Sequence, residues 1–275
     1  MINGIDVSNF QGNIDWNKVK SDGINFVIIR AGWGKNGRDS KFKEYINGAI
    51  KAEINNIGIY WFLYAKTEKD IIENANNCIS VVGAYKDKIN MKIWADWEYD
   101  SDNYCKGLNK DTRTKWINTF CKRIEELGYS AGVYLNPDYI NSKVNYNALS
   151  NYPLWLAFYT NDVNLAMKYK PMIWQYTSKG SVNGIKGNVD RDYFYDTLPV
   201  SVQKNPFKEP NGIIDYSPSD GVKWIQWALN NKGNYGLVVD GVFTTQTLEA
   251  VKDFQKKNGL VVDGRVGNMT KAKLR

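Results

Sequence analysis

Runs of β-branched and aromatic residues bounded by turn formers recur eight times in the first 200 positions. They are GIDVSN (4–9), NFVIIRAG (25–32), NIGIYWFLYA (56–65), MKIWADWEY (91–99), SAGVYLN (130–136), PLWLAFYT (153–160), PMIWQYTS (171–178) and GNVDRDYF (187–194). Each reads as a strand. Between them, apolar positions return at helical spacing over 41–54, 68–85 and 111–127. Thr67 and Glu68 open the second of these helices, and Asp111 and Gly128 bound the third. Beyond the sixth strand the intervals are too short for full crossover helices. The pattern predicts an α/β barrel of eight strands that loses its outer helices toward its end.

Alternate residues of a strand share a face. In the fourth run Trp94, Asp96 and Glu98 lie opposite Ile93, Ala95 and Trp97; in the first, Asp6 and Ser8 lie opposite Ile5 and Val7. Arg30 falls opposite Ile29 in the second. Polar groups thus gather toward the C-terminal ends of the strands, where barrel enzymes carry their active sites. A buried charge needs a partner, and the pattern nominates Asp6 as the carboxylate paired with Arg30.

Residues 199–220, rich in Pro, Gly, Ser and charge, read as a linker between a domain at 1–198 and a second at 221–275. In the second, VVDGVFTTQT (238–247) echoes VVDGRVGNMT (261–270) at an offset of 23 residues. Each echo sets a DG turn before a Thr able to cap a helix. With helical periodicity over 221–232 and 247–258, the unit reads as a small three-helix bundle.

Composition then restricts the chemistry. The 275 residues include no histidine, which excludes Ser-His-Asp and Cys-His hydrolases, HExxH proteases and His-ligated metal sites. Proton transfer falls to carboxylates, tyrosine or lysine. Cys78, Cys105 and Cys121 form no CxxC and read as free thiols. The net charge of +7 is spread thinly; it suits an anionic polymer better than sequence-specific nucleic-acid binding. The opening MINGIDVSNFQG lacks an export-signal pattern, and no run reaches membrane-spanning length. The expectation is a protein made without an export signal, in a reducing compartment, and not inserted in a membrane.

Asp96 and Glu98, two apart on one strand, point to the same side. Two acids held close cannot both ionise easily, so one becomes a proton donor beside an anion, as glycoside hydrolysis requires. Barrel closure would bring Asp6 and Asp190 beside them, completing a ring of four carboxylates. Tyr60, Phe62, Tyr64, Tyr134, Trp155 and Tyr159 fall on the same inferred face and could line a groove for sugar rings. A DxE pair is common, and an acid cluster can instead hold Ca²⁺ or Mg²⁺. No Walker or G-x-G-x-x-G pattern is present.

The stretches GIDVSNFQGNIDW (4–16), FVIIRAGWG (26–34), GIYWFLY (58–64), IWADWE (93–98), GVYLN (132–136), LWLAFY (154–159), IWQYTS (173–178) and GNVDRDYF (187–194) together resemble the family 25 glycoside hydrolases. These are lysozymes that cut bacterial peptidoglycan. The resemblance implies an incomplete TIM-like (β/α)5(β)3 barrel. It also implies Glu98 as the general acid at the MurNAc-β-1,4-GlcNAc bond and Asp96 as the group stabilising the reacting centre. Asp6 and Asp190 match the remaining acidic positions, and Tyr60, Tyr134, Trp155 and Gln175 match cleft positions; with Tyr64 and Arg30 these are the expected substrate-binding residues. No metal or other cofactor is implied. Trp61 stands where the family often has His, on the side away from Tyr60. Residues 221–275 resemble a peptidoglycan-binding domain through Gln226, Asp240, Gly241, Phe254, Gln255, Asp263 and Gly264. The combined expectation is a wall-lytic lysozyme with bacterial peptidoglycan as partner. It would be a phage or prophage endolysin held in the host cytoplasm until release, or a host autolysin. The sequence leaves oligomeric state open.

Overall fold

The computed structural model describes every residue except 196–204, 214–216 and 234. The chain divides into two compact units, Met1–Pro199 and Val200–Arg275.

The first unit is a closed barrel. Its strands are β1 (Ile2–Val7), β2 (Phe26–Trp33), β3 (Gly37–Arg38), β4 (Asn56–Phe62), β5 (Ile93–Asp96), β6 (Ala131–Leu135), β7 (Leu154–Ala157), β8 (Ile173–Gly180) and β9 (Val189–Phe194). Seven long strands run parallel in the order β1-β2-β4-β5-β6-β7-β8. β9 closes the ring antiparallel to both β8 and β1, and β3 only folds back on the end of β2. All eight expected strands are present.

The helices thin out toward the end of the barrel, one interval earlier than expected: from β6, the fifth expected strand, to β7 the chain already makes only short turns. Before β6 lie α1 (Trp16–Ser21), α2 (Phe42–Lys51), α3 (Glu68–Val82), α4 (Tyr99–Cys105) and α5 (Lys110–Glu126). Beyond it come short 3-10 and π turns and the five-residue α6 (Val163–Met167). Thr67 caps α3 in a reciprocal box with Asp70. The cap of α5 is Asn109, whose side chain accepts from Thr112 N at 2.8 Å, two residues before the expected Asp111.

Strand alternation sorts side chains into two layers. Ile5, Val27, Ile29, Ile57, Ile59, Trp61, Ile93 and Val133 pack outward against the helices. Phe26, Ile28, Trp94, Tyr134, Trp155, Ile173 and Phe194 fill the interior. The interior is so full of rings that glycine must give way. A methyl group at Gly132 would come within 2.4 Å of Trp94, and one at Gly4 within 2.2 Å of Phe26. The three cysteines are free, Cys78 and Cys121 among the buried core residues.

The second unit holds α7 (Asp220–Gly233), α8 (Thr245–Lys257) and α9 (Asn268–Leu274) around Val222, Ile225, Leu229, Val251, Phe254 and Leu274. Part of the stretch read as linker lies on this bundle. Asn205 Nδ2 donates to Trp224 O at 2.9 Å, Phe207 packs on the core, and Lys271 Nζ donates to Pro210 O and Gly212 O at 3.0 and 2.7 Å. Residues 199–204 and 214–216 of that stretch lie outside the described residues. Among the described residues, no helix is long and apolar enough to cross a membrane.

Candidate active site

The C-terminal end of the barrel gathers five acids. β5 ends at Asp96, yet the backbone stays extended through Glu98 (φ −129°, ψ −174°) before α4 begins. Alternation therefore carries past the strand and brings both carboxyls to one side. Glu98 N donates to Ser101 Oγ at 3.3 Å. The loop behind it is pinned by Asp102, which accepts from Trp97 Nε1 at 3.0 Å, Arg113 Nε at 2.7 Å and Tyr139 Oη at 2.9 Å. These donors hold the Asp102 carboxyl low although burial opposes them.

The Asp96 and Glu98 carboxyls lie within hydrogen-bonding reach of each other. Two carboxyls can bond in this way only when one of them carries a proton, and the contact therefore favours a protonated member. Burial, and then the neighbouring Glu98 charge, push the Asp96 carboxyl well above the usual range. Burial also raises Glu98, with Asp100 and Asp190 adding to it. Glu98 is the more accessible of the two; Asp96 is buried.

Across the barrel, Asp6 on β1 is in register with Asp190 on β9. Asp6 is raised by burial and by the charges of Asp190, Asp192 and Asp96, and burial pushes Asp190 up to about 6. The ring of four expected acids is thus assembled. Asp192, not singled out in the sequence, makes a fifth. It shares a face with Asp190 two residues away, so the period that found Asp96 and Glu98 could have found it too. Among the described residues, no ion pair reaches any of the five, and no group of three or more His, Cys, Asp or Glu is arranged to hold a metal ion.

Gln175 on β8 ties the site together. Its Nε2 donates to Asp6 Oδ2 at 2.8 Å, while its Oε1 accepts from the hydroxyls of Tyr134 and Tyr159 at 3.0 and 2.9 Å. Burial keeps the Tyr60 hydroxyl neutral, with the nearby Asp6 charge adding to the effect. Tyr64 packs in tilted contact with Phe62 at 5.0 Å and with Tyr104 at 5.1 Å, extending a row of rings outward.

Two expectations need correction. Arg30 does not pair with Asp6: its Nε donates to Asp39 Oδ2 at 2.8 Å, and it also donates to Asn9 Oδ1. Asp39 follows β3, whose return along β2 carries it back beside Arg30, with Asp39 N bonded to Ala31 O at 3.0 Å. The guanidinium lies 5.2 Å from the Phe10 ring and 5.3 Å from the Trp33 ring. Trp155 is no groove wall either. It is 1% exposed, enclosed by the rings of Tyr134, Trp94 and Tyr60 at 4.5, 5.8 and 6.0 Å. Its Nε1 donates to Asp192 Oδ1 at 2.8 Å. It forms the floor beneath the acids.

A cavity of about 600 Å³ opens at the other end of the barrel, between Tyr146, Tyr152, Leu154, Tyr169, Met172 and Tyr195. It contains none of the expected residues.

Comparison with known proteins agrees with this geometry. The model of the glycosyl hydrolases family 25 matches residues 5–185, and a peptidoglycan binding domain model matches residues 218–274. The chain is 31% identical over 272 residues to an autolytic lysozyme of Clostridium acetobutylicum, covering 97% of this chain and 76% of the relative. The modular autolysin LytC of Streptococcus pneumoniae superposes with a TM-score of 0.62 at 28% identity, over 70% of this chain and 46% of that one; the chain thus spans about half of LytC. A bacterial lysozyme of Streptomyces coelicolor superposes with a TM-score of 0.59 at 26% identity, over 71% of this chain and 93% of that one.

Proposed function

The chain belongs to the glycosyl hydrolases of family 25, and from that premise we propose that it is a lysozyme. It hydrolyses the β-1,4 bond between N-acetylmuramic acid and N-acetylglucosamine in bacterial peptidoglycan. The observation that carries this reading is the pairing of Asp96 and Glu98 at the mouth of the barrel, Asp96 buried and both carboxyls raised first of all by burial. A carboxyl raised by burial beside a second acid is a proton donor near neutral pH.

In this mechanism Glu98 gives its proton to the glycosidic oxygen as the C–O bond breaks. Asp96 orients the substrate's acetamido group so that its carbonyl oxygen attacks the anomeric carbon, and water then opens the ring so formed, returning a proton to Glu98. Asp6 and Asp190 position substrate and water and raise the affinity of the pair for its proton. Tyr60, Tyr64 and Tyr134 border the cleft, Gln175 fixes Asp6, and Arg30 stands at the rim; Trp155 supports the floor.

Residues 218–274 would hold the enzyme on the wall, raising the local concentration of substrate without new chemistry. The first test is digestion of purified peptidoglycan. New reducing ends with no new free amines support a muramidase. Free amines without reducing ends would indicate an amidase or endopeptidase, and wall binding without products a glycan-binding protein. Activity that survives a chelator supports carboxylate chemistry, whereas its loss would restore the divalent-cation reading of the acids. As an endolysin, the protein expressed in the cytoplasm lyses cells only after the membrane is opened; as an autolysin, it acts without that step.

A further inference from the structure

Asp192 takes no part in the mechanism above, yet it is the most deeply buried of the five acids, with 0% exposure. Its Oδ1 accepts from Trp155 Nε1 at 2.8 Å. Its Oδ2 is shut off from solvent and has no donor among the described residues. An ionised oxygen so placed is strongly disfavoured. The group within hydrogen-bonding reach of Asp192, on the neighbouring strand β1, is another acid, Asp6, itself held by Gln175 on its own Oδ2. Two acceptors facing each other become partners once a proton lies between them.

The surroundings supply no alternative. The titratable and charged groups facing the pair are Asp190 on β9, Asp96 on β5 with Glu98 beyond it, Arg30 on β2, Tyr60 on β4, Tyr134 on β6 and Tyr159 after β7. Three are acids, the charge of Arg30 is engaged by Asp39, and the buried tyrosines stay neutral. Trp155 and Gln175 each provide one N–H, which steadies a single negative charge but not two.

We propose that Asp192 is a positioning residue that shares one proton with Asp6 and thereby sets the charge and orientation Asp6 presents to the substrate. Asp6 is the member of the dyad nearer the cleft, and Asp192, locked by Trp155, lies beneath it. The significance for catalysis rests on the lysozyme reading; the shared proton does not.

The test follows carboxyl ¹³C shifts against pH in the full chain labelled at aspartate. Asp6 and Asp192 are expected to titrate in one common step above the ordinary aspartate range. In Asp192→Asn, a neutral amide donor replaces the competing acid. The Asp6 step then moves down by about one pH unit or more, and one limb of kcat/KM moves with it. Trp155→Phe keeps a ring but removes a donor to the dyad, so the common step moves up. It also serves if Asp192→Asn fails to fold. Asp6 titrating alike in wild type and Asp192→Asn, or no upward movement in Trp155→Phe, would overturn the proposal. A shared step in a protein without lytic activity would leave the dyad standing and remove the lysozyme reading instead.

Discussion

Gln175 presents an amide N–H to Asp6 at 2.8 Å and turns its carbonyl to the hydroxyls of Tyr134 and Tyr159. Its orientation is fixed from both ends, and glutamate cannot replace it at neutral pH. Gln175→Glu would set a further carboxylate against Asp6 and lose the donor. Unfolding free energy should fall by about 1–3 kcal/mol, with a drop in kcat. Both should recover in part at pH 5, where the new acid can carry a proton. Gln175→Leu should lose as much at either pH, which denaturant titration and rate measurements at the two pH values will show.

Removing the proton donor separates chemistry from binding. Glu98→Gln keeps the shape of the side chain and should lower kcat by about 10²–10⁴-fold, the usual contribution of a general acid. Pelleting with purified walls should stay at the wild-type level. Lysis at the wild-type rate in this variant would remove Glu98 from the role.

The acids also set how stability depends on pH. Asp6, Asp96, Glu98, Asp190 and Asp192 are all raised by burial. The folded state therefore binds protons that the unfolded chain releases. Their stabilising contribution is complete below the ordinary carboxyl range of about 4 and is lost as pH rises through the folded values. Asp102, held low by Arg113, Trp97 and Tyr139 against the opposing effect of burial, works in the opposite sense and loses its contribution as pH falls. Unfolding midpoints of the barrel should be highest near about pH 5 and decline toward pH 8. Asp190, pushed up to about 6, accounts for part of that decline, so Asp190→Asn should flatten the slope between pH 5 and 7.

Strand positions were legible because β-branched and aromatic runs bounded by turn formers carry their own signal. The missing outer helices beyond β7 were legible from interval length, but the one missing between β6 and β7 was not, because that interval is filled by short turns. Alternation also identified which side chains share a face, and that sufficed to assemble Asp6, Asp96, Glu98 and Asp190. It does not report depth. Trp155 and Tyr134 share a face and a register, but Trp155 is enclosed by rings on three sides and cannot offer one to a sugar. Nor does alternation place residues after a turn. Asp39 reaches Arg30 because β3 folds back on β2, a two-residue pairing with no periodic trace.

Trp61 tests whether the departure from the family pattern matters. Its ring is fully buried in the outer layer, and its Nε1 donates to Gly34 O at 3.1 Å. Tyr60 beside it packs into the interior. Trp61→His should therefore destabilise the barrel by about 2–4 kcal/mol through lost packing. At temperatures well below unfolding, kcat should be unchanged; a change in kcat would mean that this layer communicates with the acids.

The second unit carries the sequence echo into three dimensions. Gln226 Nε2 donates to Asp240 Oδ1 and Val242 O at 2.9 and 3.0 Å, and its Oε1 accepts from Gly241 N at 2.9 Å. Gln255 repeats the arrangement with Asp263 Oδ1, Arg265 O and Gly264 N, each at 2.9 Å. The glycines adopt positive φ of 85° and 73°, so each DG turn is clamped by a glutamine buried in the preceding helix. The halves are not identical: Thr244 caps α8, whereas Gly267 precedes α9 without a side-chain cap. Leucine at either glutamine would strand a turn N–H and a carbonyl, while each aspartate keeps a backbone donor, Val242 N or Arg265 N, at 2.8 Å. Gln226→Leu and Gln255→Leu should each lower the stability of this unit by about 1–3 kcal/mol, Gln255→Leu by the larger amount because Gln255 Nε2 also reaches Thr270 Oγ1 at 3.3 Å. If residues 218–274 hold the wall, both variants should pellet less with it at temperatures where the unit melts, while still cutting small soluble fragments at the wild-type rate. Undiminished pelleting after the unit has unfolded, followed by circular dichroism, would move wall recognition to the barrel.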